Sequence, residues 1–342
     1  MKTLNVFIVE SRFQALVSLL IAKSAANSDN LVFYYAEETG SFIGKFPFVQ
    51  AHYLGPKITA GPWKRPRKLR RMVKQIEKTV SDYAGKVDAV NVFVANLKTH
   101  LLNYSVNRLR NTVTWAPLSF SIITDGTFNF KRYAMPADYP AKMAQTARKL
   151  PYRLLGLDFY IYSGDLQGIE DPLISKIYLL PKSPHDYSPE RVVDVPVVDL
   201  GIEANQPPEN SKRALVIGER LFAKGYLTEA EEQEVNQQIA QLLRDRGISS
   251  VDFVKHPNAP TDAMPQPWYN PIATQDPVEV HLMEHHYDIV IASVTTALIT
   301  ARMLCPASTA VISVGLERCA GRKHTVREVE KTLRGLGVEM IG

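Results

Sequence analysis

Three short stretches of this 342-residue chain carry residue types that could do chemistry. The first is Lys255, His256, Pro257 and Asn258, directly after the apolar run of Val251, Phe253 and Val254. Such a run reads as a buried strand, and open α/β sheets bind their ligands at the carboxyl ends of strands. Pro257 biases His256 away from helical geometry, so the imidazole is expected on an extended turn. The second stretch is Ser293, Thr295 and Thr296, set between an apolar run over 288–292 and a helical pattern through Leu298, Ile299 and Met303. A strand that runs into hydroxyl residues at a helix start leaves backbone N–H groups in need of an acceptor, which suits a phosphate. The same residues could serve only as helix caps. The third stretch, Asp125, Gly126, Thr127, Phe128 and Asn129, follows the run 119–123 and sets a carboxylate at a strand end.

The elements that position these groups repeat one grammar. In the first half, strands are expected over 4–9, 31–35, 48–54, 90–95, 119–123, 159–163 and 177–180, with helical spacing over 12–22, 64–80 and 99–110. The second half restarts with a strand over 214–217 that runs into Gly218. Thr228, three residues before Glu231, reads as the capping box of a helix through Val235, Ile239, Leu242 and Leu243. A helix over 278–286 carries Glu279, and a strand over 310–314 is expected to close the sheet. Alternation of this kind predicts parallel α/β sheets. The Pro-, Asp-, Glu- and Asn-rich stretch 181–211 marks the boundary, giving domains 1–204 and 205–342.

Composition narrows the class. With 45% hydrophobic and 22% charged residues the chain is globular rather than disordered. No apolar run reaches bilayer length, and the first 22 residues are interrupted by Asn5, Glu10, Arg12 and Gln14, unlike a secretory signal. Two cysteines without paired spacing fit a reducing cytoplasm and exclude a zinc–thiolate site. The net charge of +5 is concentrated in Lys64, Arg65, Arg67, Lys68, Arg70, Arg71 and Lys74. That segment suits an anionic membrane surface, nucleic acid or an acidic glycan, or is a solvated helix face.

Taken together, the Asp-Gly stretch, the His-Pro stretch and the Ser/Thr group before an apolar helix resemble, in order and across the whole chain, the bacterial sialyltransferases and related nonulosonic acid transferases. The resemblance implies a GT-B fold, two Rossmann-like domains facing across a cleft, the first acceptor-binding and the second donor-binding. It implies inverting, metal-independent transfer of sialic acid, or a related nonulosonic acid, from a CMP-activated donor to a glycan or glycolipid hydroxyl, with no cofactor. By the same resemblance Asp125 is the general base and His256 assists departure of CMP. Gly126, Gly218, Lys255, Pro257, Glu279, Ser293, Thr295 and Thr296 would bind the donor, and Gln14, Thr127 and Asn129 the acceptor. Many relatives carry two acids before the glycine where this chain has Thr124 and Asp125, so Glu10 and Glu37 stand as alternative bases. A cytoplasmic enzyme, peripheral at the inner membrane through its basic segment, is the implied location.

Other readings remain open on the residues. The donor could be CMP-Kdo or another CMP-linked acidic sugar. The basic segment could belong to a non-catalytic protein that binds nucleic acid, although it lacks interleaved aromatic residues. His281, Glu284 and His285 match a helical zinc pattern, but no third ligand is evident.

Overall fold

The chain is described by a computed structural model at all residues except 36, 57–63, 126–131, 184, 197, 199, 201–211, 257–264, 273–277 and 321–323. It divides into two compact units, one of residues 1–181 and 185–200, the other of residues 182–184 and 201–342.

In the first unit, β1 (Thr3–Ile8), β2 (Ser28–Tyr34), β3 (Gln50–Tyr53), β4 (Ala89–Val94), β5 (Leu118–Ile123), β6 (Ile174–Leu179) and β7 (Val192–Asp194) form one sheet of order β3-β2-β1-β4-β5-β6-β7. Every neighbouring pair is parallel. Parallel strands covered on both faces lose the alternation of half-exposed strands, and Val6, Phe7 and Ile8 are accordingly all inaccessible. The crossovers include α1 (Arg12–Ser24), α2 (Glu37–Ile43), α3 (Lys64–Ser81), α4 (His100–Thr112), α5 (Tyr139–Ala147) and the short α6 (Leu150–Arg153). The α3 helix buries Leu69, Met72, Val73, Ile76 and Val80 and exposes Arg67, Arg70, Arg71, Lys74 and Lys78, as its spacing predicts.

The expected strand over 159–163 is not one. Its backbone is satisfied by side chains: Asn103 Oδ1 accepts the Tyr160 N–H at 2.8 Å, Asn103 Nδ2 donates to the Tyr160 carbonyl at 2.9 Å, and Asp171 accepts the Ser163 N–H at 2.7 Å. The segment forms no ladder.

The second unit contains β8 (Arg213–Ile217), α7 (Glu229–Asp245), β9 (Ser250–Val254), β10 (Asn270–Ile272), α8 (Val278–Glu284), β11 (Ile289–Ala292), α9 (Ala297–Leu304), β12 (Ala310–Val314), α10 (Leu316–Ala320), α11 (His324–Gly335) and β13 (Glu339–Ile341). Its parallel sheet runs β10-β9-β8-β11-β12-β13. Thr228 caps α7 in the predicted capping box with Glu231. The sheet does not close at β12: three residues of β13 pair beyond it, Ile312 opposite Glu339. In both units the strand order reverses beside the first strand, which defines a switch point between β1 and β4 and another between β8 and β11.

Candidate functional site

At the carboxyl edge of the second sheet, β8 ends in Gly218 and Glu219, β9 in Lys255 and His256, and β11 in Ser293 and Val294. Around these ends lies a cavity of about 550 Å³, lined among others by Gly218, Glu219, Arg220, Lys255, His256 and Ser293. That volume lies within the range of small-molecule sites, roughly 300–1,000 Å³. Gly218 is there for space: a Cβ on it would sit 2.7 Å from the Phe253 ring and 3.1 Å from the Val254 carbonyl oxygen. Its N–H donates to that carbonyl at 2.8 Å, which locks the β8 end to β9.

Glu219 is the cavity residue the motifs did not reveal. Its carboxylate accepts the Ser293 N–H at 2.5 Å and the Val294 N–H at 3.0 Å, bridging the switch point between β8 and β11. The expectation that this turn offers unpaired N–H groups is thereby corrected: two of them already bond a carboxyl group supplied by the chain. Burial raises the Glu219 carboxyl to about 7, against the lowering effect of the Ser293 and Val294 N–H groups and of the Lys224 charge. The available signal was positional, an acid directly after the glycine that ends the first strand of the unit.

Beyond that pair, the Ser293 carbonyl accepts from Ser313 Oγ at 2.7 Å, so the turn is pinned on both sides. Thr295 Oγ1 accepts the Ala297 N–H at 3.2 Å, whereas the Thr296 hydroxyl makes no cap hydrogen bond at the start of α9. Both threonines are partly exposed. His256 is held below the ordinary imidazole value by burial first, and then by the charges of Lys224 and Arg220. Both effects favour the neutral imidazole. A bound phosphate would oppose the two cations and favour its protonation.

The structure brings Gly218, Lys255, His256 and Ser293 together around one cavity; Thr295, Thr296 and Glu279 are not among its described lining residues. Glu279 lies on α8, 7% exposed, and accepts from Thr300 Oγ1 on α9 at 3.1 Å, with its carboxyl raised by burial. Pro257, Gly126, Thr127 and Asn129 lie outside the described residues. His281 of the zinc pattern is engaged elsewhere: its Nε2 is 2.7 Å from the Tyr287 hydroxyl, which donates to Asp252 at 2.8 Å. Arg213 closes that chain on Asp252 at 2.7 Å, tying β8 to β9. Among the described residues no group of three His, Cys, Asp or Glu side chains is placed to hold a metal ion.

At the carboxyl edge of the first sheet, Asp125 follows β5 and Glu10 follows β1. Tyr35, at the end of β2, donates its hydroxyl to Glu10 Oε1 at 2.8 Å. Its phenol is raised by burial, then by the Glu10 charge and hydrogen bond, and also by the Asp125 charge, so two carboxylates act on one phenol. Gln14 is 1% exposed and its Oε1 accepts the Glu10 N–H at 2.7 Å, which makes it a brace for Glu10.

No protein-family model matches the sequence, and no curated protein matches it either. Solved structures do match along its length. The α/β-galactoside α-2,3-sialyltransferase from the luminous marine bacterium Photobacterium phosphoreum is 9% identical, with 99% of this chain and 98% of that one covered and a TM-score of 0.53. The glycosyltransferase SnogD from Streptomyces nogalater is 13% identical, with 100% and 87% covered and a TM-score of 0.51. The UDP-GlcNAc 2-epimerase from Methanocaldococcus jannaschii is 9% identical, with 98% and 92% covered and a TM-score of 0.48. At these identities the likeness is one of fold: the chain is built as the two parallel α/β units of a GT-B protein.

Proposed function

We propose that this chain is a glycosyltransferase that moves sialic acid, or a related nonulosonic acid, from a CMP-activated donor to the hydroxyl of a glycan or glycolipid. The observation that carries the reading is the cavity at the switch point of the second unit, where Arg220, Lys255 and His256 meet the pinned turn before Thr295 and Thr296. Cationic side chains, an imidazole and a helix start are suited to a departing nucleoside monophosphate, which gains negative charge as the sugar–oxygen bond breaks. The likeness in fold to a sialyltransferase supports the choice of sugar class.

In this mechanism the sugar–phosphate bond breaks as the acceptor oxygen attacks the anomeric carbon from the opposite face, so configuration inverts. Asp125 takes the acceptor proton, with Glu10 the alternative on the same edge. His256 donates a hydrogen bond, and with phosphate bound a proton, to the departing CMP. Lys255 and Arg220 offset its charge, so no divalent metal is required. The test is release of CMP from CMP-sialic acid and from CMP-Kdo, with and without a glycan acceptor, in the presence of EDTA. Acceptor-dependent release from CMP-sialic acid is expected. Release only from CMP-Kdo would move the donor to the second acidic sugar, and release only after magnesium is added would refute the metal-free mechanism.

A further inference from the structure

On the first unit, α3 presents Arg67, Arg70, Arg71, Lys74 and Lys78 on the side opposite its buried stripe. Beside it lies the α6 segment, anchored through Tyr152, which is 9% exposed and stacks on Tyr104 of α4 at 5.7 Å and 19°. Arg65 at the start of α3 lies 3.2 Å from Nδ1 of His100, and that imidazole is lowered by burial first and then by the charges of Arg65 and Lys149. A notch of about 220 Å³ joins the two segments, lined by Arg70, Val73, Lys74 and Arg108 on one side and residues 154–157 on the other.

With Tyr152 turned inward, Leu150 and Leu154 are left 62% and 69% exposed. They stand among the exposed Arg148, Lys149 and Arg153. Neither residues 64–76 nor residues 139–157 contain an Asp or Glu. The acids that flank them are Glu77, paired with Arg108 at 2.8 Å, Asp138, paired with Lys142, and Asp158, so the charge about the two solvated leucines is predominantly positive.

We infer that this face of the first unit docks on an anionic phospholipid bilayer, with Leu150 and Leu154 entering the headgroup–acyl boundary and the α3 and α6 cations meeting lipid phosphates. Two exposed leucines gain nothing from a phosphate backbone, and the aromatic rings that would stack on bases are packed inward, which favours lipid over nucleic acid. No helix of the described residues is long and apolar enough to cross a membrane, so the contact is with the surface. The inference extends the charge of α3 to a two-part site and does not depend on which sugar is transferred.

The experiment is cosedimentation of the full chain with vesicles of phosphatidylcholine alone or with phosphatidylglycerol added, for the parent, R67E/R70E/R71E and L150S/L154S. The parent should bind the anionic vesicles selectively and release them as salt rises. The charge variant should lose about a hundredfold or more in affinity, at about fivefold for each of the three basic residues removed and more for the acids introduced, and the leucine variant about tenfold or more. Thermal unfolding should be unchanged, because the altered residues are exposed. Equal binding to both vesicle types by the parent would overturn the inference. So would a leucine variant that binds like the parent while duplex DNA competes, an outcome that assigns the surface to nucleic acid. Neither readout uses a sugar donor, so failure here leaves the transferase reading standing, and the reverse holds too.

Discussion

Glu219 reaches from the end of β8 to the end of β11 and holds the Ser293 N–H at 2.5 Å. With the Val294 and Ser313 hydrogen bonds, this contact fixes the turn that leads to Thr295 and Thr296, and it puts a carboxylate inside a cavity that also gathers Arg220, Lys255 and His256 with the acids Glu229 and Glu232. A donor phosphate arriving there meets a resident acid whose charge depends on pH.

The first prediction follows from the sign of that dependence. Burial raises the folded Glu219 carboxyl to about 7 from 4.5, so the folded state holds the proton more tightly than the unfolded chain does. Stability from this group is present below the unfolded value and is lost as pH rises through the window to about 7. Lys224 limits the effect and Glu232 adds to it. Glu219→Gln removes the titration, so its unfolding midpoint should rise relative to the parent across that window. Parallel midpoint curves would show that the carboxylate does not titrate there.

A second prediction concerns the carboxylate and imidazole at the two sheet edges. Asp125→Asn and His256→Ala should each slow turnover by roughly 100- to 10,000-fold, the usual cost of losing a positioned base or acid. Asp125→Asn should keep parent affinity for CMP, because Asp125 belongs to the unit that does not hold the donor cavity. Near-parent turnover by Asp125→Asn, with turnover lost in Glu10→Gln, would pass the role of base to Glu10.

Gly218 supplies the third. Its replacement by Ala forces a methyl to within 2.7 Å of the buried Phe253 ring and 3.1 Å of the Val254 carbonyl. Overpacking of this kind costs about 1–3 kcal/mol. Denaturant unfolding of Gly218→Ala should show that loss, and an unchanged midpoint would mean that the β8 and β9 ends separate freely.

Much of this architecture is legible in local spacing. The α3 stripe, the Thr228 capping box and the strand ends at Asp125, His256 and Ser293 follow from periodicity and cap chemistry that act within a few residues. The failures have a common origin in partners that lie far along the chain. Residues 159–163 look like a strand until Asn103 and Asp171 are seen to satisfy their backbone. The three residues of β13 are too few to show a pattern and exist because the β12 edge is open to them. Glu219 is one acid among 35 acidic residues, and its meaning comes from Ser293, 74 positions later.

The most direct test of the donor reading is a calorimetric titration of the parent and of Lys255→Ala/His256→Ala, both of which line the cavity, with CMP, using UDP as the comparison. The account predicts saturable CMP binding by the parent that exceeds UDP binding and weakens by about tenfold or more in the double variant, at about 1 kcal/mol for each hydrogen bond lost. No binding of CMP, or equal CMP affinity in parent and variant, would contradict it.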